Sequence, residues 1–378
     1  MSNDNLSSAK KVVVVSGINL FQGGPLSIYY DFLDSFIRLS SFHDYEVIAF
    51  VHKVELFDKY RDCGIKFIEL PKSRKSYLYR FYYEYSFFKK FSKGKDIYCW
   101  ISLHDITPNV KAEKLFTYCH NPSPFRKITR IDRICGVKNV LFPLFYGRIY
   151  KKNIKKNTAI IVQQEWMREE FKKRYHVENV IVSYPKIDVP YLYSAGEKNI
   201  GKDTFDFIYP SFPRTFKNFE VICEAVKLLE SEKLNFRVFF TLAGDENKYS
   251  RYLFRRYSGL KSIKWIGNRQ RQELFELYND VDCMIFPSRI ETWGLPITEF
   301  KNTNKPILLS DCPFAHETIG DYEKVSFFGC DDSKRLAELM KQVILSEITF
   351  EKATSKRPAE IFKNDWNELI GYLLGEEV

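Results

Sequence analysis

Two glutamates stand eight positions apart in the stretch ETWGLPITEF, Glu291 at its start and Glu299 near its end. Carboxylates accept hydrogen bonds from hydroxyl groups, so a turn carrying two of them suits a ligand with several hydroxyls. The run CMIFPS just before reads as a buried strand. Pro296 is a good first residue for a helix, and Gly294 permits close backbone approach. The amides of Gly294 and Leu295 would then point out of a helix start, where anions bind. A nucleotide sugar fits this layout, with its pyrophosphate on the helix end and its sugar and ribose hydroxyls on the carboxylates. A plainer reading has Glu299 complementing the helix dipole and Glu291 solvated. Spacing alone does not choose between them.

A second stretch, YPSFPRTFKNFEVI (209–222), places Arg214 and Lys217 between a strand and the next helix. Cations there either clamp a diphosphate or form a solvated basic turn. Both stretches occupy equivalent ends of one expected sheet. His120 closes the run KLFTYCH, before the turn-forming NPSPF. It is either a hydrogen-bonded structural residue or a polar group at a ligand crevice, and it does not read as a metal ligand. Cys119 beside it is expected to face the core on the opposite side of the strand. The triplet DVD (280–282) has the form of an Asp-x-Asp metal site. It joins a helix to a buried strand at the end opposite the glutamates, so no catalytic metal is expected.

These residues need elements to hold them. KVVVVSG (11–17) is a β-branched run read as a buried parallel strand, followed through INLFQGGP by a helix expected to start near Pro25. Further strands are expected at 45–51, 66–70, 97–102, 114–120 and 157–164, with helices between most of them. The second half alternates more plainly. Strand 205–211, helix 218–230, strand RVFFTLAG, helix 246–257, strand SIKWIG, helix RQELFELYND, strand DCMIFPS, helix PITEFKNT and strand KPILLS follow in turn. Strands so spaced require parallel crossovers. The expected class is α/β with two doubly wound domains facing a cleft, and ligands in such sheets bind outside the carboxyl ends of the strands. The domains are set at 1–188 and 203–350, with a polar, turn-rich boundary at 186–204. A last helix, 358–374, is free to pack back on the first domain.

A chain of 378 residues exceeds one ordinary core, and 45% hydrophobic with 28% charged residues is a globular balance. The eight cysteines are scattered, without a C-x-x-C pair. Neither a zinc site nor a disulfide framework is expected, and a reducing cytoplasm is. The start, MSNDNLSSAK, does not read as a signal peptide, and no run is long and apolar enough to span a membrane. Charge is uneven: residues 1–200 carry 33 Lys and Arg against 20 Asp and Glu, residues 201–378 carry 25 against 28. The excess gathers where bases alternate with aromatics, at 74–95 and 126–157. Such stretches are a solvated basic face, a nucleic-acid surface or a dock for an anionic membrane.

Glu-x7-Glu after a strand, with an upstream Arg…Lys pair, resembles the retaining glycosyltransferases of family 4, of GT-B fold and bacterial surface-polysaccharide type. GINLFQGGP is similar to that family's glycine loop and FTYCHNPSPF to its histidine segment, and FTLAGDE and WIGNRQRQELFELYNDVDCMIFPSRIETWGLPITE follow in family order. The resemblance runs over nearly the whole chain. It implies that Arg214 and Lys217 neutralise a departing diphosphate and that Glu299 holds the ribose. Glu291 would hold the donor sugar, the Gly294–Leu295 amides and Gly23 and Gly24 would meet phosphate, and His120 would contact the sugar or act as a polar catalytic group. The implied activity is metal-independent transfer of a hexose from a nucleoside-diphosphate sugar to a glycan hydroxyl. A lipid-linked acceptor would put the enzyme in the cytoplasm, peripheral to the membrane. Rivals are a nucleotide-sugar 2-epimerase of the same fold and a basic nucleic-acid-binding protein.

Overall fold

The computed structural model describes residues 10–185, 203–351, 353, 358 and 361–376. The boundary expected at 186–204 lies almost wholly outside them. The chain forms two compact units. Unit 1 draws on 1–121, 146–186 and 358–378, and unit 2 on 122–145 and 187–357. Segment 122–145 thus groups with the second unit, although the sequence reading ran the first domain unbroken to 188.

Unit 1 is built on β1 (Lys11–Ser16), β2 (Tyr45–Val51), β3 (Ile65–Glu69), β4 (Ile97–Ser102), β5 (Lys114–Cys119), β6 (Ala159–Val162) and β7 (Val180–Ser183). Unit 2 contains β8 (Phe205–Tyr209), β9 (Phe236–Phe240), β10 (Ile263–Trp265), β11 (Cys283–Phe286), β12 (Ile307–Ser310) and β13 (Val325–Phe328). The short β14 (Phe362–Lys363) returns to unit 1 and pairs with β7. Within the described residues the first sheet runs β14-β7-β6-β5-β4-β1-β2-β3 and the second β10-β9-β8-β11-β12-β13. The named strand pairs are all parallel. Each sheet starts in its middle, grows one way for three strands, then jumps back beside its first strand. The reversal falls between β1 and β4 in unit 1 and between β8 and β11 in unit 2. Loops leaving those strand ends diverge, and the gap between them is where such sheets take ligands.

β1 shows why these runs are strands. Val13 and Val15 enter one apolar cluster, with Tyr29, Phe32 and Phe36 of helix Gly23–Ile37 and Trp366, Leu369 and Leu373 of helix Trp366–Leu374. Val14 enters the other, with Phe50, Phe88 and Trp100. A strand covered on both faces has no polar side to alternate with, hence the unbroken valines. The first helix runs Gly23–Ile37, opening within two residues of the expected Pro25, after an extended Gln22 and a left-handed Gly23 at φ +60°. The last helix is shorter than expected, β14 occupying part of that stretch. β7 and β13 were not foreseen.

Gly17 marks a close approach. A Cβ placed there would lie 2.4 Å from the Tyr29 ring. That ring cannot swing aside, since its hydroxyl donates to the carbonyls of Val15 and Phe50 at 3.2 Å each. Gly17→Ala should therefore lose about 1–3 kcal/mol of stability through overpacking, read as a lower denaturation midpoint at unchanged slope. An unaltered midpoint would mean the helix tolerates displacement from β1.

Candidate functional site

β8 ends at Tyr209, and the chain then makes one tight turn, Thr215–Lys217, before helix Phe219–Leu229. Asn218 joins turn to helix at φ 58°, in the left-handed region, and is fully buried. Its amide nitrogen donates to Pro287 O at 3.1 Å and to Cys330 O at 2.7 Å, and its oxygen accepts from Arg289 Nη2 at 2.7 Å. The Tyr209 hydroxyl donates to Lys217 O at 2.8 Å, and the Arg289 amide to Phe216 O at 2.9 Å. On the far side Thr215 donates to Asp132 Oδ1 at 2.5 Å, a carboxylate that also receives Arg126 Nη1 at 2.6 Å. Asp132 stays ionised: burial opposes its charge, but the bonds from Thr215, Thr129 and Arg126 hold its carboxyl below the usual range.

The turn so fixed aims Lys217 at Glu291, and the two form an ion pair, each side chain less than a fifth exposed. One follows β8 and the other β11, the strands that flank the reversal of the sheet. Two residues 74 apart in sequence are thus brought together, a contact the sequence reading did not specify. Arg214 lies in the same loop but is exposed, its guanidinium carbon 5.5 Å from the Phe212 ring centre. Gly294, at φ 92°, turns the chain into helix Leu295–Lys301, and a Cβ there would meet Ile297 at 3.0 Å. Leu295 is exposed at the head of that helix.

Glu299 is not gathered into the same contact. It is buried, 3.4 Å from Arg271 and 3.5 Å from the Tyr278 hydroxyl. Burial pushes its carboxyl above the usual range, with Arg271 and Tyr278 opposing. Glu220, in the first turn after Asn218, is raised for the same reason while bonded to Tyr249. The DVD triplet is structural at its second aspartate. Asp282 Oδ2 accepts the Asp206 amide at 2.8 Å, at the amino end of β11, away from Glu291. Among the described residues no group of three or more His, Cys, Asp or Glu is placed to hold a metal.

In unit 1, His120 follows β5 and is nearly buried. Burial lowers its pKa, so the imidazole is neutral at neutral pH, although Asp105 at 3.9 Å pulls the other way. Its Nδ1 is buried without a partner among the described residues. Asp105, left-handed at φ 72°, accepts the amides of His120 at 2.8 Å and Asn121 at 3.1 Å, and the Tyr150 hydroxyl at 3.0 Å. Behind it lie a buried His104–Glu84 pair at 2.5 Å and Arg80, which donates to His104 O at 2.8 Å. Glu84 sits in a π-helical turn, Tyr83–Phe87, a local geometry frequent at functional sites. Cys119 is buried, its thiol pushed up by that burial. Gly23 and Gly24 are exposed in the first turn after β1, with open space where each Cβ would stand.

Residues missed in the sequence are mainly the holders. Asn218 had a signal, because an asparagine between strand loop and helix is a common left-handed residue. Arg271, Asp132 and Arg289 act over long sequence separations and carry no local mark.

Residues 195–360 match the family model of glycosyl transferases group 1. No curated protein sequence is significantly similar to the chain. Among solved structures, a glycosyltransferase from Rickettsia africae ESF-5 superposes with TM-score 0.61 at 14% identity, over 89% of this chain and 88% of that one. Sucrose-phosphate synthase from Thermosynechococcus elongatus gives 0.62 at 12%, over 89% and 90%. Anabaena HepE in complex with UDP-glucose gives 0.58 at 13%, over 89% and 90%. Such likenesses establish the fold, two parallel-sheet Rossmann-like units of GT-B type.

Asn218 offers a direct check on the turn. Asn218→Ala loses the three buried bonds and places a Cβ in the left-handed region without local support. Asn218→Gly loses the bonds alone. The alanine variant should be the less stable by about 1 kcal/mol, both falling roughly 2–4 kcal/mol below the parent in urea unfolding. Equal stability of the two variants would remove the backbone part of the argument.

Proposed function

We propose that the chain is a metal-independent, retaining glycosyltransferase of family 4. It would transfer a hexose from a nucleoside-diphosphate sugar to a hydroxyl of a growing, lipid-linked surface polysaccharide at the cytoplasmic face of a membrane. The observation that carries this reading is the Lys217–Glu291 pair at the reversal point of the second sheet. The match of residues 195–360 to glycosyl transferases group 1 supports it, as does UDP-glucose in the Anabaena neighbour of the same fold.

Breaking a glycosidic bond to a diphosphate builds negative charge on the leaving phosphates and positive charge on the sugar. Lys217, little exposed, supplies a positioned cation for the first, and the exposed Arg214 in the same loop adds a second. Glu291, paired with Lys217 in the free protein, is held ready to take sugar hydroxyls while the lysine turns to phosphate. The amides at Gly294 and Leu295 add donors to the diphosphate, and Glu299 takes the ribose. His120, neutral by virtue of its burial, donates or accepts a hydrogen bond to the transferred sugar without adding charge. Gly23 and Gly24 let backbone come close to phosphate. Attack occurs on the face from which the diphosphate departs, and a phosphate oxygen accepts the acceptor's proton.

No helix among the described residues is long and apolar enough to cross a membrane. Helix Val137–Lys151 instead exposes Val137, Leu141, Leu144 and Phe145, positions that share one helical face, with Lys138, Arg148 and Lys151 also exposed. An apolar stripe among cations suits the surface of an anionic bilayer.

Thermal denaturation against a panel of nucleoside diphosphates and their sugars, without added metal, tests the donor site. One base should stabilise the protein, by about 2.7 kcal/mol at a hundredfold excess over Kd. Lys217→Ala and Glu291→Ala should each lose roughly 1.5–3 kcal/mol of transition-state stabilisation in transfer assays. A flat panel for the parent protein would sink the donor assignment. Membrane docking has its own check. Sedimentation with vesicles of anionic phospholipid should carry the protein down and vesicles of zwitterionic lipid should not, the difference vanishing at high salt. Equal behaviour on both would refute it.

A further inference from the structure

Cys312 and Cys330 follow the neighbouring parallel strands β12 and β13. Their sulfurs lie 3.0 Å apart, both as free thiols. A disulfide needs a separation of about 2 Å, so the two have about 1 Å to travel. Neither thiol is isolated from the turn that carries Lys217. Cys330 O receives the Asn218 amide at 2.7 Å, and the Cys312 sulfur lies 3.5 Å from Arg289 O. We infer that Cys312 and Cys330 are a redox-active dithiol, closed reversibly to a disulfide by exchange with a small-molecule disulfide.

The two sulfurs differ in ways that order the reaction. Cys330 is partly exposed and Cys312 is buried, so only the first readily meets a reagent. The hydrogen bond from Cys312 holds the Cys330 thiol below its usual range, aided by Arg289 and opposed by burial, Asp331 and Asp311. Cys312 is pushed the other way, by that same bond and by burial. Attack by the more acidic, more accessible sulfur is the ordinary course of thiol exchange. The Cys330 thiolate attacks one sulfur of the small disulfide, forming a mixed disulfide and releasing one thiolate. That thiolate takes the Cys312 proton. The Cys312 sulfur, now a thiolate, then attacks Cys330, forming the protein disulfide and expelling the second small thiolate, which takes up the proton that Cys330 had released to solvent. One small disulfide is reduced to two thiols as two protein thiols are oxidised. Closure removes the Cys312 proton and draws the end of β12 toward the Cys330 segment, whose carbonyl receives the Asn218 amide. None of this depends on which ligand the neighbouring site takes.

The test uses the full chain equilibrated with reduced and oxidised glutathione in graded ratio, then alkylated with a maleimide in denaturant and weighed intact. Reduced protein should take up eight maleimides, one for each cysteine in the sequence. As the ratio becomes oxidising, two additions should be lost together, and peptide mapping should find Cys312 joined to Cys330. In C312S the reaction should stop at glutathione attached to Cys330, while C330S should retain a free Cys312. Eight maleimides at every ratio, or a bond between other cysteines, would overturn the inference. Absence of the adduct on C312S would overturn Cys330 as the attacking sulfur.

Discussion

The side chain of Asn218 makes three bonds to two separated pieces of unit 2: the carbonyl of Pro287 and the guanidinium of Arg289 in the loop after β11, and the carbonyl of Cys330 after β13. Its backbone is left-handed, so chain direction reverses within a single residue. Both facts are needed to set Lys217. A longer connection could bring a lysine near Glu291 on average, but would leave it many rotamers and a wandering backbone. A buried amide with all its bonds made allows no such freedom, since leaving any of them unmade costs about 1–3 kcal/mol. The rest of the candidate site inherits its position from that junction.

Electrostatics follows from the same confinement. Lys217 and Glu291 are too buried for water to screen them fully, yet exposed enough to exchange each other for a ligand. Unit 1 treats charge differently. Arg80, Glu84, His104 and Asp105 are all buried, held by one another, by tyrosine hydroxyls and by backbone. Such a cluster is weak evidence for stability, because desolvating ions cancels much of their attraction. It does give Asp105 a fixed place, and with it the amides of His120 and Asn121.

Much of the architecture was legible in local pattern. The valines of β1, the Gly294–Leu295–Pro296 junction and the strand–helix alternation of the second half each reflect one element's own requirements. That Lys217 and Glu291 share one end of a sheet was legible because both follow its strands and parallel sheets gather their carboxyl ends; that they pair was not. Glu299 was less so: its spacing from Glu291 says nothing of Arg271, which enters from another helix and draws the carboxylate with it. The membership of 122–145 in unit 2 was likewise hidden. Asp132 meets Thr215 across 83 residues, and the two-residue β14 is defined by its pairing with β7 more than by its own composition.

The return of the chain to unit 1 at its end has a consequence for order of events. Trp366, Leu369 and Leu373 belong to the same apolar cluster as Val13 and Val15, more than 350 residues earlier. On the ribosome, β1 emerges more than 350 residues ahead of the helix Trp366–Leu374 that covers it. Until that helix and β14 are made, the first sheet has an uncovered apolar patch and a β7 edge without its neighbour. Asp132, too, waits for a threonine made much later. Completion of unit 1 therefore waits until every segment of unit 2 has been made, whereas unit 2 needs nothing from beyond residue 357. A chain so threaded has a high contact order and a long-lived need for protection during synthesis.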